Sequence, residues 1–347
     1  MNEDTLSGLL RCIRLRGALF FHVECVGAWV TEAPAAHLIA HAVMPASEHM
    51  MEYHVVLKGS CWAGITGEAP FEMKEGDVIL FPHGDPHVMS SIPGLRAEPD
   101  LEHLISTLKQ CSGLPFMLCQ EDDFRARPAT AATIWPESAS GAALLCGFLG
   151  CDKGPFNPLL TALPRVMHAR ANELTDGNWA GQLARLAEAE ARSKRPGGEA
   201  VLERMSEMMF VDLVRFYLSK MPESQTGWLA GLRDRHVGRV LGLMHQSPAD
   251  AWTLEKLSGH AGLSRSALQD RFVELVGLPP MQYLRSWRMQ VASNLLVETN
   301  AKIVTIAGEV GYESEEAFSR SFKRAVGLSP AAWRRERSVP QIRYFSQ

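Results

Sequence analysis

Ala261–Pro280 reads AGLSRSALQDRFVELVGLPP, and Val310–Pro330 reads VGYESEEAFSRSFKRAVGLSP. Ser264 matches Ser314, Leu268 matches Phe318, and Phe272 matches Phe322. Gly277, Leu278 and Pro280 match Gly327, Leu328 and Pro330. Each copy begins at the end of an apolar-periodic run, LEKLSGHAG in the first and IVTIAGEVG in the second. A helix, a short turn at Gly and a second helix opened by Ser is the helix-turn-helix pattern. Two copies predict two reading heads for successive stretches of a DNA major groove.

The turn chemistry agrees. Gly262 and Gly311 follow each first helix, where a positive φ is often needed to end it. Ser264 and Ser314 can N-cap the next helix by accepting from its free N–H groups. Leu268 and Phe272, like Phe318 and Phe322, stand four apart and face one core. Ser266, Gln269 and Asp270 in the first copy, and Glu315, Glu316 and Arg320 in the second, then face outward. Ordinary helical hairpins share parts of this pattern. The matched spacing and the common G-L-x-P ending favour two reading units.

The last hundred or so residues resemble the DNA-binding domain of AraC/XylS-type transcription regulators. The second copy carries the likeness, as I-A-x-x-V-G-Y-x-S-x-x-x-F-S-R-x-F-K-R-x-x-G-x-S-P followed by Trp333 and Arg334. The resemblance implies one long helix joining the two units, here Met281 to Glu298, with Leu284, Trp287, Val291 and Leu295 as its buried stripe. It implies double-stranded promoter DNA as partner, and RNA polymerase if the protein activates. It places DNA contacts at Arg265, Ser266, Gln269, Asp270 and Arg271, and at Glu315, Glu316, Arg320 and Lys323. Asp270 stands where many relatives carry Arg, and a carboxylate accepts from cytosine N4–H₂.

A chain of 347 residues exceeds one usual core, so two domains are expected. Net charge is −4, but residues 233–347 hold 16 Lys and Arg against 11 Asp and Glu. A basic end on an acidic body suits a polyanion partner for that end. No run has the ~18 consecutive apolar residues of a membrane span, and no signal peptide is read at the N-terminus. Seven scattered cysteines suit a reducing cytoplasm better than a disulfide framework.

Residues 14–90 read as β-structure, in runs ALFFHVECVGAWV, HLIAHAV, YHVVLKGSCWAGI, DVILFP and HVMSS. Residues 93–132 read as an insertion or long loop with one short helix around LEHLISTLKQC, and ALLCGFLGC reads as a strand. NPLLTALPRVMHA, NWAGQLARLAEAEARS and EAVLERMSEMMFVDLVRFYLSK read as helices. The last is apolar round much of its girth, through burial in its own domain or in a homodimer interface. Residues 221–231 read as a linker. The expected architecture is α+β: a cupin-like β-barrel with flanking helices over 1–225, and an all-α domain with two helix-turn-helix units over 232–347.

The barrel expectation rests on GDVILFPHGDPH, Gly76 to His87. It is G-x5-P-x-G-x2-H, the second motif of cupins, in which a Pro-Gly turn aims the His into the barrel. In the first motif His54 takes the first His position, Val56 replaces the second, and Cys61 falls where a Glu is usual. His83, within the turn, is read as facing solvent. Residues 14–170 outside the insertion are similar to the cupin-type sensor domain of one AraC-family branch, which includes regulators suspected of sensing reactive chlorine species through cysteine. Three roles are open for His54, Cys61 and His87. With Cys146 they form a zinc set of thiolate and imidazole, or the histidines are hydrogen-bonded core residues, or Cys61 is a redox thiol, which needs exposure and a depressed pKa. The expected function is a cytoplasmic DNA-binding regulator whose barrel senses a small molecule, metal or oxidant. The rival is a cupin-type metal-dependent enzyme with a DNA-binding tail, disfavoured by the broken metal set.

Overall fold

The computed structural model describes residues 4–337 apart from 46, 99, 111–115, 121–125, 129–140, 174–179, 194 and 223. In chain order come α1 (Thr5–Cys12), β1 (Arg16–Val26), β2 (Val30–Ala33), α2 (Ala36–Val43), β3 (His49–Lys58), β4 (Ser60–Ile65) and β5 (Phe71–Lys74). Next are β6 (Val78–Phe81), β7 (His87–Ser90), α3 (Leu101–Gln110), β8 (Phe116–Gln120), β9 (Ala126–Pro128) and β10 (Gly141–Cys151). Then follow α4 (Pro158–Ala162), β11 (Met167–Ala169), α5 (Ala180–Ser193) and α6 (Gly198–Lys220). The C-terminal helices are α7 (Trp228–Arg233), α8 (Arg235–Gln246), α9 (Leu254–Ala261), α10 (Arg265–Val276), α11 (Pro280–Glu298), α12 (Ile303–Glu309), α13 (Glu315–Val326) and α14 (Pro330–Arg337).

The chain divides into two compact units. One is Leu15–Cys151 with Pro164–Lys220. Its strands form a seven-stranded sheet, β11-β6-β3-β10-β1-β8-β9, and a four-stranded sheet, β2-β7-β4-β5. Phe21, Val56, Phe81, Leu118 and Leu144 of the larger sheet share one apolar core with Cys61, Ala63, Ile65, Met73 and Met89 of the smaller. The β-domain is therefore two sheets facing across a common core, β-rich and cupin-like. Alternation along β3 puts Glu52 and His54 on one face, opposite Phe81 and Ile79 of β6.

Three local readings change. HLIAHAV is not a strand but most of α2. Its buried residues Ala36, Ile39 and Val43 follow helical spacing, and a short apolar run does not by itself separate the two periods. Residues 93–132 contribute α3, β8 and β9, and β8 pairs in parallel with β1, so this stretch extends the sheet. NPLLTALPRVMHA splits into α4 and β11. The long α6 forms as expected, and Leu202, Met209, Phe210, Leu213 and Val214 are buried within its own unit.

The other unit is Met221–Gln347 with Met1–Arg14 and Asp152–Leu163. Trp228 and Leu229, inside the expected linker, are buried at the start of α7. The N-terminal α1 packs on α8 and α11, with Leu9 and Ile13 fully buried. Polar groups lock these segments to α11. Asn294 donates to the Cys12 carbonyl, Gln290 Oε1 accepts from Phe156 N at 2.9 Å, and Arg14 pairs with Asp152. α11 is buried on several sides, with Tyr283, Leu284, Trp287, Met289, Ala292 and Leu296 inside. Val291 and Leu295 of the expected stripe are only partly buried.

Because Leu9 belongs to the core of the helical unit, Leu9→Ala should cost about 2–5 kcal/mol there. Amide exchange in α8 and α11 should quicken while β3 and β10 keep their protection. Unchanged exchange in α8 and α11 would contradict this packing.

Candidate functional site

Two places carry chemistry. The first is the pair of helix-turn-helix units. Ser264 Oγ accepts from Ala267 N and Ser314 Oγ from Ala317 N, both at 3.2 Å, so both caps form as the sequence suggests. Gly262 ends α9 with φ +69°. Gly311 has φ +80°, and a Cβ there would lie 2.6 Å from the Ala249 carbonyl oxygen, so no larger residue fits. Leu268, Phe272, Phe318 and Phe322 are all buried, which leaves the opposite faces of α10 and α13 to solvent.

On those faces Ser266, Gln269, Asp270, Glu315, Glu316, Arg320 and Lys323 are exposed. Two expected DNA contacts have partners within the protein. Arg265 pairs with Glu255 at 2.5 Å. Arg271 pairs with Asp234 at 2.5 Å, and Asp234 also caps α8 by accepting from His236 N and Val237 N. Arg271 thus ties α10 to the start of α8.

Arg288 of α11 sets how the two reading units stand to each other. Its guanidinium donates to the carbonyls of Pro248 at 2.7 Å, Asp250 at 2.9 Å and Gly311 at 3.3 Å. The first two precede α9 and the third is the turn between α12 and α13. One side chain therefore fixes the first unit to the second. Nothing in the repeat alone pointed to Arg288, because its partners are backbone carbonyls.

The second place is a cavity of about 760 Å³ in the β-domain, lined by apolar residues including Phe21, Leu118, Leu144 and Phe148 and by polar Glu52, His54 and Gln120. Glu52, His54 and His87 offer ligand atoms within 4.8 Å of one another, and all three are buried. Among the described residues this trio is the group of His, Cys, Asp and Glu close enough to share an ion; Cys61 and Cys146 are not part of it. Cys146 lines the same cavity and pairs in register with His54. Cys61 is 1% exposed, and burial pushes its thiol up to about 12. Burial raises the Cys146 thiol further. The exposure and depressed pKa of a redox thiol are absent at Cys61.

The protons in the trio can be placed. Burial lowers the His54 pKa strongly, helped by His87, and lowers His87 to about 4, so both rings are neutral at pH 7. His87 Nδ1 donates to the Asp85 carbonyl at 2.9 Å, which leaves its Nε2 as an acceptor. His54 Nε2–H donates to it at 2.7 Å. His54 Nδ1 is then an acceptor, and it is buried without a partner. Burial raises Glu52 to about 8. Its Oε2 lies 3.7 Å from His87 Nε2, too far for a hydrogen bond, and its Oε1 has no partner. Glu52 was missed because Cys61 was set at the usual Glu position. Its spacing of two from His54 on one strand face was the available signal.

The comparisons with known proteins follow both places. A cupin family model matches residues 4–219, and a helix-turn-helix domain model matches 257–336. An AraC-like transcription regulator of Streptomyces lividans is 29% identical over 97% of this chain and 100% of its own length. The transcriptional regulator AlkR of Acinetobacter baylyi is 26% identical over 96% of this chain and 99% of its own. The RCS-specific transcriptional activator RclR of Escherichia coli is 29% identical over 55% of this chain and 67% of its own. The chain belongs to the AraC-type regulators with an N-terminal cupin region. The two reading units are thus the DNA-binding end of a regulator, and the buried trio sits in its cupin region. No described helix is long and apolar enough to cross a membrane.

Two outcomes follow for this regulator. Arg288→Met removes three charged hydrogen bonds of about 1.5–3 kcal/mol each in their usual range and should loosen the spacing of α10 and α13. Specific DNA affinity should fall at least tenfold by that measure, although Arg288 needs no DNA contact. Wild-type affinity in a folded variant would refute the role. The second outcome concerns His245, stacked on Trp287 at 3.8 Å and bonded to the Tyr283 hydroxyl at 2.7 Å. Burial lowers it from 6.5 to about 3. Below pH 6.5 the unfolded chain binds a proton that the folded unit refuses, so stability falls from about pH 6.5 towards pH 3. His245→Gln should flatten that part of the urea-midpoint profile.

Proposed function

We propose that this protein is a sequence-specific transcription regulator whose cupin region binds an effector in the 760 Å³ cavity and thereby alters promoter binding by α10 and α13. The carrying observation is a pocket-sized apolar cavity with two buried, unpartnered polar atoms, Glu52 Oε1 and His54 Nδ1, in a chain whose other end carries two capped reading helices. The division of labour proposed is 1–225 for effector binding and 232–347 for DNA. Effector binding would act as a coupling free energy between the sites. An activator would in addition bring RNA polymerase to the promoter.

Base contacts are assigned to Ser266, Gln269 and Asp270 in the first unit and to Glu315, Glu316 and Arg320 in the second. Lys323, Arg265 and Arg271 are left for phosphates and for positioning α10. Arg320→Ala should cost about 1–3 kcal/mol at a specific site if it forks a guanine. Asp270→Ala should change the sequence logo at one position. Affinity should fall steeply with added salt, because neutralised phosphates release counterions. Unchanged logos in both variants would sink the assignment.

A zinc reading of the trio has its own support. Two imidazoles and a carboxylate match zinc's donor types and leave an open position. Cys146 lies close by, whereas Cys61 does not join the trio. The resting arrangement is a hydrogen-bonded one, so metal binding would have to displace the proton shared by His54 and His87. Elemental analysis of protein grown in zinc-replete medium decides it: about one zinc per chain, lost in His54→Ala and His87→Ala, supports the reading.

A homodimer is proposed through α6. Its own unit covers most of its apolar girth, yet Val201 and Met208 stay 45% and 43% exposed, with half-buried Met205 between them on one stripe. Val201→Lys with Met208→Lys should shift sedimentation from dimer to monomer. A monomeric wild type at micromolar concentration would reject the dimer.

A further inference from the structure

The cavity of the cupin region is acidic at both depths. Glu52 lies inside it at 4% exposure. Glu98, Asp100 and Glu102 are exposed residues of its lining. The lining also includes Glu32, which is paired with Arg96, and no Lys or Arg is among its described residues. Much of the wall between is apolar, with Thr31, Thr107 and Gln120 set into it.

We infer that the effector is an apolar primary amine, bound as the ammonium, with its carbon body against Phe21, Leu118, Leu144 and Phe148. Its N–H groups donate to Glu52 Oε1 and His54 Nδ1. Three observations bear on this class independently. Two cavity-lining residues carry a buried polar atom without a partner, Glu52 Oε1 and His54 Nδ1, and an ammonium is a compact source of several donors. Burial disfavours the ionised form of the Glu52 carboxyl, and a cation beside it would offset the cost of ionising it. The acidic approach attracts cations and repels carboxylates and phosphates before they reach the apolar part. A neutral alcohol can satisfy one orphan at a time and brings no counter-charge. A fatty acid would have to bring its carboxylate past Glu98, Asp100 and Glu102 and set it against Glu52.

This inference rests on the cavity being the effector site. It is tested on the full-length protein by calorimetric titration with decylamine, decanol and decanoate, each below its aggregation concentration. Decylamine should bind most tightly, decanol at least about tenfold more weakly, as expected for loss of a charged hydrogen bond, and decanoate not at all. Glu52→Gln should remove the preference for decylamine over decanol and leave decanol binding intact, which also shows that the variant folds. Glu98→Lys with Glu102→Lys, both at exposed positions, should weaken decylamine and spare decanol. Equal binding of amine and alcohol, or binding of decanoate, overturns the amine class but keeps the cavity as a site. Binding of none of the three overturns the cavity reading as well. Zinc held by Glu52, His54 and His87 in the purified protein also overturns it, because the carboxylate cannot serve both.

Discussion

The placing of α10 against α13 depends on the Arg288 guanidinium being held by three backbone carbonyls at once. Two helix-turn-helix units on one chain are useful only if their separation matches the groove they follow. α11 supplies the rod between them, and a rod alone leaves each end free to turn. Arg288 removes that freedom by bonding the carbonyls before α9 and the carbonyl of Gly311. Gly311 is bound to this by space as well as by φ, since a Cβ would strike both the Ala249 oxygen and the guanidinium. The guanidinium is partly desolvated there, and each of its bonds to a carbonyl is stronger for that. The recognition faces of α10 and α13 are therefore presented as a pair.

The cupin region works under the opposite constraint. Glu52, His54 and His87 are ionisable groups placed where burial removes their charge. A neutral trio packs inside an apolar core at modest cost, provided its donors and acceptors are matched. Here one hydrogen bond is internal and one goes to the Asp85 carbonyl, while Glu52 Oε1 and His54 Nδ1 are left without partners. A site in this condition is poised for something that brings donors or positive charge. Either a metal ion or an organic cation would meet that need, and both would change the charge inside the sheet pair without changing its packing.

The helical end was legible in the sequence because its signals are local. Ser caps, Gly turns and residues four apart each report on one turn of chain, and all of them form. The β-domain was legible as a type, through the Pro-Gly turn and His87, but not in its details. HLIAHAV gave no decision between helix and strand because a mostly apolar run of seven residues fits either. The sheet role of β8 depends on pairing with β1, more than ninety residues earlier in the chain, and no local pattern records it. Glu52 was hidden for a related reason. It reaches His87 only through the β3–β6 pairing and the turn that follows, so a motif template that assigned the acid position to residue 61 had nothing local to correct it.

The division into two units does not follow the order of the chain, and this bears on how a signal could travel. β1 and β10 are paired from Arg16↔Gly150 to Val26↔Gly141. The residues just before β1, Ile13 and Arg14, and just after β10, Asp152, belong to the helical unit. They stay bonded to each other, Asp152 N to the Ile13 carbonyl at 2.9 Å and Arg14 to Asp152. They continue into segments held by Asn294 and Gln290 on α11. The same β10 carries Cys146 and Leu144 on the cavity wall. From β10 the chain runs to Phe156, whose N–H donates to Gln290, and before β1 it passes Cys12, whose carbonyl accepts from Asn294; both partners lie on the same helix as Arg288. Coupling of this kind needs two arrangements of α11 that the effector weights differently. Gln290, Ser293 and Asn294 are buried polar groups of α11, and the hydrogen bonds of Gln290 and Asn294 hold the segments that continue β1 and β10.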